Sequence, residues 1–263
     1  MAPAPHVGVF DSGVGGLSVL NAIRERLPKI SLSYIGDVAH APYGHRGASD
    51  VMDRSRRIVG HLAATGTRLI VVACNTVTVL GIEQLRGEWP ELIFVGVEPG
   101  VKPAVALSDT GRVAVLTTPA TAASARLRAL IDEFASDAHV LVVPCPGLAG
   151  AIERGVIDGP ELHEILEPIC REVSAKGVDV AVLGCTHYPF VSEALAKLLG
   201  PGVTLIDTGT AIARRVASLL GPASPGSNDD LRIFSTGDVG TMSKLASICK
   251  SLGTYRMEHL ALE

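Results

Sequence analysis

Short apolar runs of four or five residues alternate along this chain with longer stretches in which apolar residues return every third or fourth position. The first kind reads as buried strand and the second as amphipathic helix, and their alternation is the pattern of βαβ units around a mostly parallel sheet. The expected class is α/β. Strands are predicted at Val7 to Phe10, Leu32 to Ile35, Leu69 to Ala73, Phe94 to Val97, Val113 to Leu116, Val140 to Val143, Val180 to Leu183, Val203 to Ile206 and Leu231 to Phe234. A polar Pro/Gly/Ser loop is expected over 222–230, and the tail after it supplies one strand and one helix packed back on the first part of the chain.

Open α/β sheets hold ligands beyond the carboxyl ends of their strands, and that is where the polar residues of this chain collect. The first strand runs into Asp11-Ser12-Gly13-Val14-Gly15-Gly16, whose glycines permit a tight turn and whose following helix offers N-terminal amides to an anion. No Lys-Ser/Thr follows at Walker A spacing, and the dinucleotide fingerprint is matched only in part. Ala41-Pro42-Tyr43-Gly44 is a turn with a phenol and exposed amides suited to a carboxylate, or simply a structural turn. The third strand delivers Cys74-Asn75-Thr76, and the seventh delivers Cys185-Thr186-His187 ahead of Pro189, which opens the next helix. Between them Thr117-Thr118-Pro119-Ala120-Thr121 repeats, after the fifth strand, the hydroxyl-rich turn that follows the first. The order of strand, polar turn, strand, cysteine turn therefore occurs twice, which implies two lobes facing each other. The turn Glu98-Pro99-Gly100 is where the chain crosses between them.

Composition narrows the function classes. The chain has 263 residues, 47% hydrophobic and 19% charged, with a formal net charge of −4 and no basic run, so nucleic acid is not the expected partner. No apolar stretch reaches the length needed to span a bilayer, and the start resembles no leader, so the expected location is cytosolic with no membrane partner. Five cysteines, at 74, 145, 170, 185 and 249, have spacings that fit neither a disulfide framework nor a clustered metal site. Cys145, Cys170 and Cys249 read as structural, Cys170 sharing an apolar stripe with Ile165, Leu166 and Ile169.

Cys74 and Cys185 stand apart because each lies in a polar turn at a strand end. A helix N-terminus lowers a thiol's pKa; from about 8.5, forming the thiolate at neutral pH costs only about 2 kcal/mol, so such a thiol can act as a base without a metal. A disulfide oxidoreductase would want Cys-x-x-Cys, which is absent. Nucleophilic catalysis by Cys185 with His187 leaves Cys74 unexplained. Two thiols facing one carbon from opposite sides permit removal of a proton on one face and return on the other, with inversion. Hydroxyls and amides at 12, 43, 44, 75, 76, 118, 121 and 186 are candidate donors to the developing negative charge. No lysine lies in the candidate turns to carry pyridoxal phosphate, and Lys102 reads as solvated, so no cofactor is expected.

Taken together, Val9-Phe10-Asp11-Ser12-Gly13-Val14-Gly15-Gly16-Leu17, Pro42-Tyr43-Gly44, Ala73-Cys74-Asn75-Thr76 and Gly184-Cys185-Thr186-His187-Tyr188-Pro189 resemble the glutamate racemases of the aspartate/glutamate racemase superfamily, over nearly the whole chain. The resemblance implies two α/β lobes, 1–98 plus 209–263 and 99–208, with glutamate between them and a homodimer as the assembly. It implies Cys74 and Cys185 as the two acid/bases, with Asp11, His187 and Glu153 assisting. Ser12, Tyr43, Gly44, Asn75, Thr76, Thr118, Thr121 and Thr186, with Asp11 and His187, are implied as substrate contacts. The alternatives are an aspartate or hydantoin racemase, or a regulatory binding protein on the same fold.

Overall fold

A computed structural model describes residues 6–221 and 229–262. The loop expected over 222–230 lies, apart from its last two positions, outside the described residues.

Among the described residues, ten strands form two sheets, all of whose pairings are parallel. They are β1 (His6–Asp11), β2 (Ser31–Gly36), β3 (Leu69–Val72), β4 (Ile93–Gly96), β5 (Arg112–Thr117), β6 (His139–Pro144), β7 (Val180–Leu183), β8 (Thr204–Ile206), β9 (Leu231–Ser235) and β10 (Arg256–His259). The central ones are apolar on both faces because helices cover both sides: every residue of β3 and of β7 is buried. The nine expected strands are all present. The tail, however, carries two strands rather than one, β9 and β10, with the helix Val239–Ile248 between them. β10 escapes a pattern-based reading because it is a sheet edge, Arg-Met-Glu-His, with its charged positions exposed.

The larger sheet has the order β10-β9-β2-β1-β3-β4 and the smaller β6-β5-β7-β8. With the two tail strands set aside, both sheets read second, first, third, fourth. β5 thus occupies the place of β1, and β7 the place of β3. Register then brings chemistry together within each half. Phe10 pairs with Val72, so the ends of β1 and β3 put Asp11 beside Ala73-Cys74. Leu116 pairs with Leu183, so Thr117 stands beside Gly184-Cys185, and its hydroxyl donates to the Gly184 carbonyl at 3.0 Å. The largest buried cluster is continuous between the sheets, joining Val7 and Val9 of β1 to Leu116 of β5 and Leu183 of β7. No helix among the described residues is long and apolar enough to cross a membrane.

Candidate functional site

Each cysteine is placed by a strand that stops. Cys74 caps the helix Asn75–Glu88 with an extended backbone, and Thr78 N–H closes the first turn on its carbonyl at 2.9 Å. Cys185 leads instead into a single 3-10 turn, Tyr188–Val191, whose Tyr188 amide donates to the Cys185 carbonyl at 3.1 Å, before the helix Ser192–Leu199. Both thiols line one cavity.

Ten of the residues singled out above line that cavity: Ser12, Tyr43, Gly44, Cys74, Asn75, Thr76, Thr118, Cys185, Thr186 and His187, joined by Pro42 and Ala149. Asp11, Glu153 and Thr121 are not on its wall. Asp11 is fully buried behind it, bridging the two halves: Oδ1 accepts from the Gly13 amide at 2.9 Å and the Ser12 hydroxyl at 3.2 Å, and Oδ2 from the Thr186 hydroxyl at 3.0 Å. Glu153 ends the helix Leu148–Glu153 and reaches the site through His187, its Oε1 lying 2.5 Å from His187 Nε2 while accepting the Val14 amide at 2.9 Å. Thr121 stands behind Thr118, its amide donating to Thr118 Oγ1 at 3.3 Å. The phenol of Tyr43 also departs from expectation. It donates to Asp37 Oδ2 at 2.6 Å, so its hydroxyl proton is already committed and is not a free donor to a carboxylate.

Two glycines make the closeness of the halves possible. A Cβ on Gly13 would collide with the Glu153 carboxylate, and one on Gly15 would collide with His187 Nδ1 and stand 2.7 Å from Thr186 Oγ1. Further bonds cross between the halves, the Ser18 hydroxyl donating to the Thr186 carbonyl at 2.8 Å and the Arg126 guanidinium to Glu98 at 2.6 Å. The cavity volume is only about 20 Å³, room for about one water. A ligand larger than a water needs the walls of this cavity to move.

The two thiols differ electrostatically. Burial pushes the Cys74 thiol up to about 12, and the Asp11 charge adds to the rise; hydrogen bonds from the Val77 amide and Ser12 oppose it without prevailing. The expectation that a helix N-terminus would lower this thiol is therefore overturned by desolvation. Cys185 Sγ lies 3.6 Å from His187 Nδ1. Burial works against a charged His187, but the charges and hydrogen bonds of Cys185 and Glu153 outweigh it and hold the imidazole pKa well above its usual value. Asp11 is raised by burial, and the attraction of His187 limits the rise.

Asp11, Glu153 and His187 offer ligand-type atoms within 4.8 Å of one another. Both Asp11 oxygens and both His187 nitrogens are already engaged with protein groups, an arrangement suited to holding protons rather than to donating lone pairs to a cation. A second cleft of about 590 Å³ reaches the far side of the Cys185-Thr186 turn, but Glu25, Asp158, Glu193 and Asp207 line it against the single cation Lys250. An anion is better received by the hydroxyls and amides of the small cavity than by those carboxylates.

Residues 8–216 match the Asp/Glu/Hydantoin racemase family model. A glutamate racemase of Ectopseudomonas mendocina is 46% identical over 262 residues, covering 97% of each chain. Among solved structures, a glutamate racemase of Bacillus anthracis superposes with a TM-score of 0.87 at 29% identity, over 98% of this chain and 99% of that one. The Escherichia coli glutamate racemase, solved with L-glutamate and the activator UDP-MurNAc-ala, gives a TM-score of 0.86 at 33% identity, over 99% of this chain and all of that one. With two cysteine turns on matched strands around one cavity and similarity running the length of the chain, this protein belongs to the Asp/Glu/hydantoin racemase family.

Proposed function

We propose that the protein inverts glutamate at its α-carbon without a cofactor, Cys74 and Cys185 acting as acid and base on opposite faces. The observation that carries this reading is that both cysteines, from equivalent strand ends of two equally ordered sheets, line a single cavity. With L-glutamate bound, Cys185 as thiolate takes the α-proton, with His187 and Glu153 as its proton-holding partners. The electron pair left on the α-carbon spreads into the adjacent carboxylate. The Thr76 hydroxyl and the side-chain amide of Asn75, both on the cavity wall, are near to meet that charge, while the Ser12 and Thr186 hydroxyls are committed to Asp11. Cys74 then gives its proton from the other face and D-glutamate results; in reverse, Cys74 is the base.

The raised Cys74 pKa fits this division. In the empty cavity its thiolate costs on the order of 7 kcal/mol at neutral pH, so it rests as a thiol, ready to donate. When it must act as base, the substrate's α-ammonium adds a positive charge to the cavity. No lysine lines the cavity, so a Schiff base has no anchor there among the described residues. The D-glutamate is intended for peptidoglycan, in a bacterial cytoplasm, a role that follows from the likeness to bacterial glutamate racemases. The proposed lobes are 1–98 plus 209–263 and 99–208, a division supported by the two sheets and by the packing of the helix Gly209–Leu220 on Leu17–Arg26.

The test is polarimetric. Glutamate of either hand, incubated with protein freed of metal and pyridoxal phosphate, is expected to lose its circular dichroism signal to the racemic value, while aspartate keeps its own. A need for added pyridoxal phosphate, or equal rates on aspartate, counts against the reading.

A further inference from the structure

Asp37 lies outside the cavity, just past β2, at the root of the turn that forms one wall of it. Its amide donates to the Asp11 carbonyl at 3.1 Å, tying it to the end of β1. Its carboxylate is completely buried and accepts from four donors. Oδ1 takes Arg54 Nη2 at 2.9 Å and the Thr236 hydroxyl at 2.7 Å, and Oδ2 takes Arg54 Nε at 2.9 Å and the Tyr43 hydroxyl at 2.6 Å. His40 Nδ1 lies 3.1 Å from Oδ1. Burial by itself raises this carboxyl, but the hydrogen bonds from Arg54, Thr236 and Tyr43 reverse the effect and bring it below the ordinary carboxylate range. Ionised, it can only accept, so the Tyr43 hydroxyl must donate to it.

A buried ion pair contributes little net stability against an apolar equivalent, whereas a bidentate Arg–carboxylate fork fixes geometry. What this fork fixes is Tyr43. Gly44, the next residue, faces Thr118 of the other half, and a Cβ built on it would make ordinary van der Waals contact at 3.4 Å from Thr118 Cβ. The place of the turn therefore sets one width of the cavity.

We propose that Asp37 is a positioning residue: clamped by Arg54 and Thr236, it holds the Tyr43 phenol and thereby sets the wall from Pro42 to Gly44 against Thr118, an assignment that rests on the racemase reading above. The phenol serves as an anchor rather than as a ligand of the substrate.

A double-mutant cycle on the full chain separates anchor from ligand. Asp37→Asn and Tyr43→Phe are each expected to weaken glutamate about tenfold, in calorimetric Kd and in KM, with kcat held within about threefold. Because both break one bond, the double variant should be no weaker than the weaker single. A double variant weakened by the product of the two, about a hundredfold, makes the phenol a direct ligand and overturns the proposal. A fall in kcat at constant KM overturns it as well. Thr236→Val leaves the Arg54 fork in place and should raise KM about threefold, with Thr236→Ser recovering most of the loss. That pair, and the cycle of Tyr43→Phe with Thr236→Val, decide the matter even if Asp37→Asn does not fold; a wild-type KM in Thr236→Val counts against the clamp. Calorimetry needs no turnover. Wild-type protein that binds glutamate without inverting it therefore defeats the racemase reading while the cycle still judges Asp37, and wild-type protein that binds no glutamate defeats both.

Discussion

Cys74 and Cys185 leave the third strands of two sheets that share one strand order, yet the surroundings of the two thiols are not copies of each other. Cys74 caps a full helix and is bordered by a carboxylate, Asp11, and burial holds it as a neutral thiol. Cys185 has an imidazole at 3.6 Å, itself backed by Glu153. The first half has no histidine in the equivalent place, two residues beyond its cysteine, where Thr76 stands. Topology thus brings two thiols to one cavity, and local chemistry makes them unequal. On the two-base reading, one sulfur must be protonated while the other is not at each turnover, and unequal surroundings favour one such arrangement over the other.

The sharpest way to break the comparison is to remove one sulfur. Cys74→Ala and Cys185→Ala should each lower racemisation in both directions by on the order of 10³-fold or more, followed by circular dichroism. The surviving thiol still serves its own enantiomer. With an analogue carrying a leaving group next to the α-carbon, Cys185→Ala should eliminate only from the D form and Cys74→Ala only from the L form; equal elimination from both by one variant would favour a single base.

Next in size is Gly15→Ala. Its methyl group would collide with His187 and Thr186, so the Cys185 side should be displaced, and activity should fall about 10²-fold as misplacement of reacting groups generally causes. Retained activity would mean that the halves are not held together at this point.

His187→Asn probes the inequality itself, and a loss of about 10- to 10²-fold is expected from removing a hydrogen-bonded charge. The enantiomers have equal free energy, so kcat/KM must fall equally in both directions. The asymmetry should appear in the α-deuterium isotope effect, which should grow more for L-glutamate than for D-glutamate. The same variant has a stability signature. Because the fold raises the His187 pKa, its protonated form adds stability that is complete below the ordinary imidazole value near 6.5 and is lost as pH rises through the folded value. The melting difference between wild type and His187→Asn should therefore shrink toward alkaline pH.

The smallest effect is spectroscopic. With Cys74 at about 12, the thiolate absorbance difference between wild type and Cys74→Ser should stay flat through neutral pH and rise only in strong alkali.

Much of this architecture is legible in the residues. β3 and β7 announce themselves as uninterrupted apolar runs, and the cysteine turns stand out because polar residues follow such runs at once. What stays hidden depends on burial that only the fold creates. Arg54 sits in the amphipathic helix Ala48–Ala64 among other arginines and reads as one more solvated charge, and Thr236 is almost two hundred positions from Asp37. The Cys74 pKa is hidden for the same reason: a helix end is visible in sequence, and the degree of desolvation is not. β10 escapes notice because an edge strand with exposed charges has no apolar run to show.

The narrowness of the cavity bears on what the protein retains between turnovers. On the two-cysteine reading proposed above, conversion of L-glutamate leaves a proton on Cys185 and none on Cys74, and conversion of D-glutamate leaves the reverse. A space of about 20 Å³ holds about one water, and release of a product must widen it and admit more. On the same reading, the burial that keeps Cys74 protonated then favours return to the state that accepts L-glutamate, whichever enantiomer was last released.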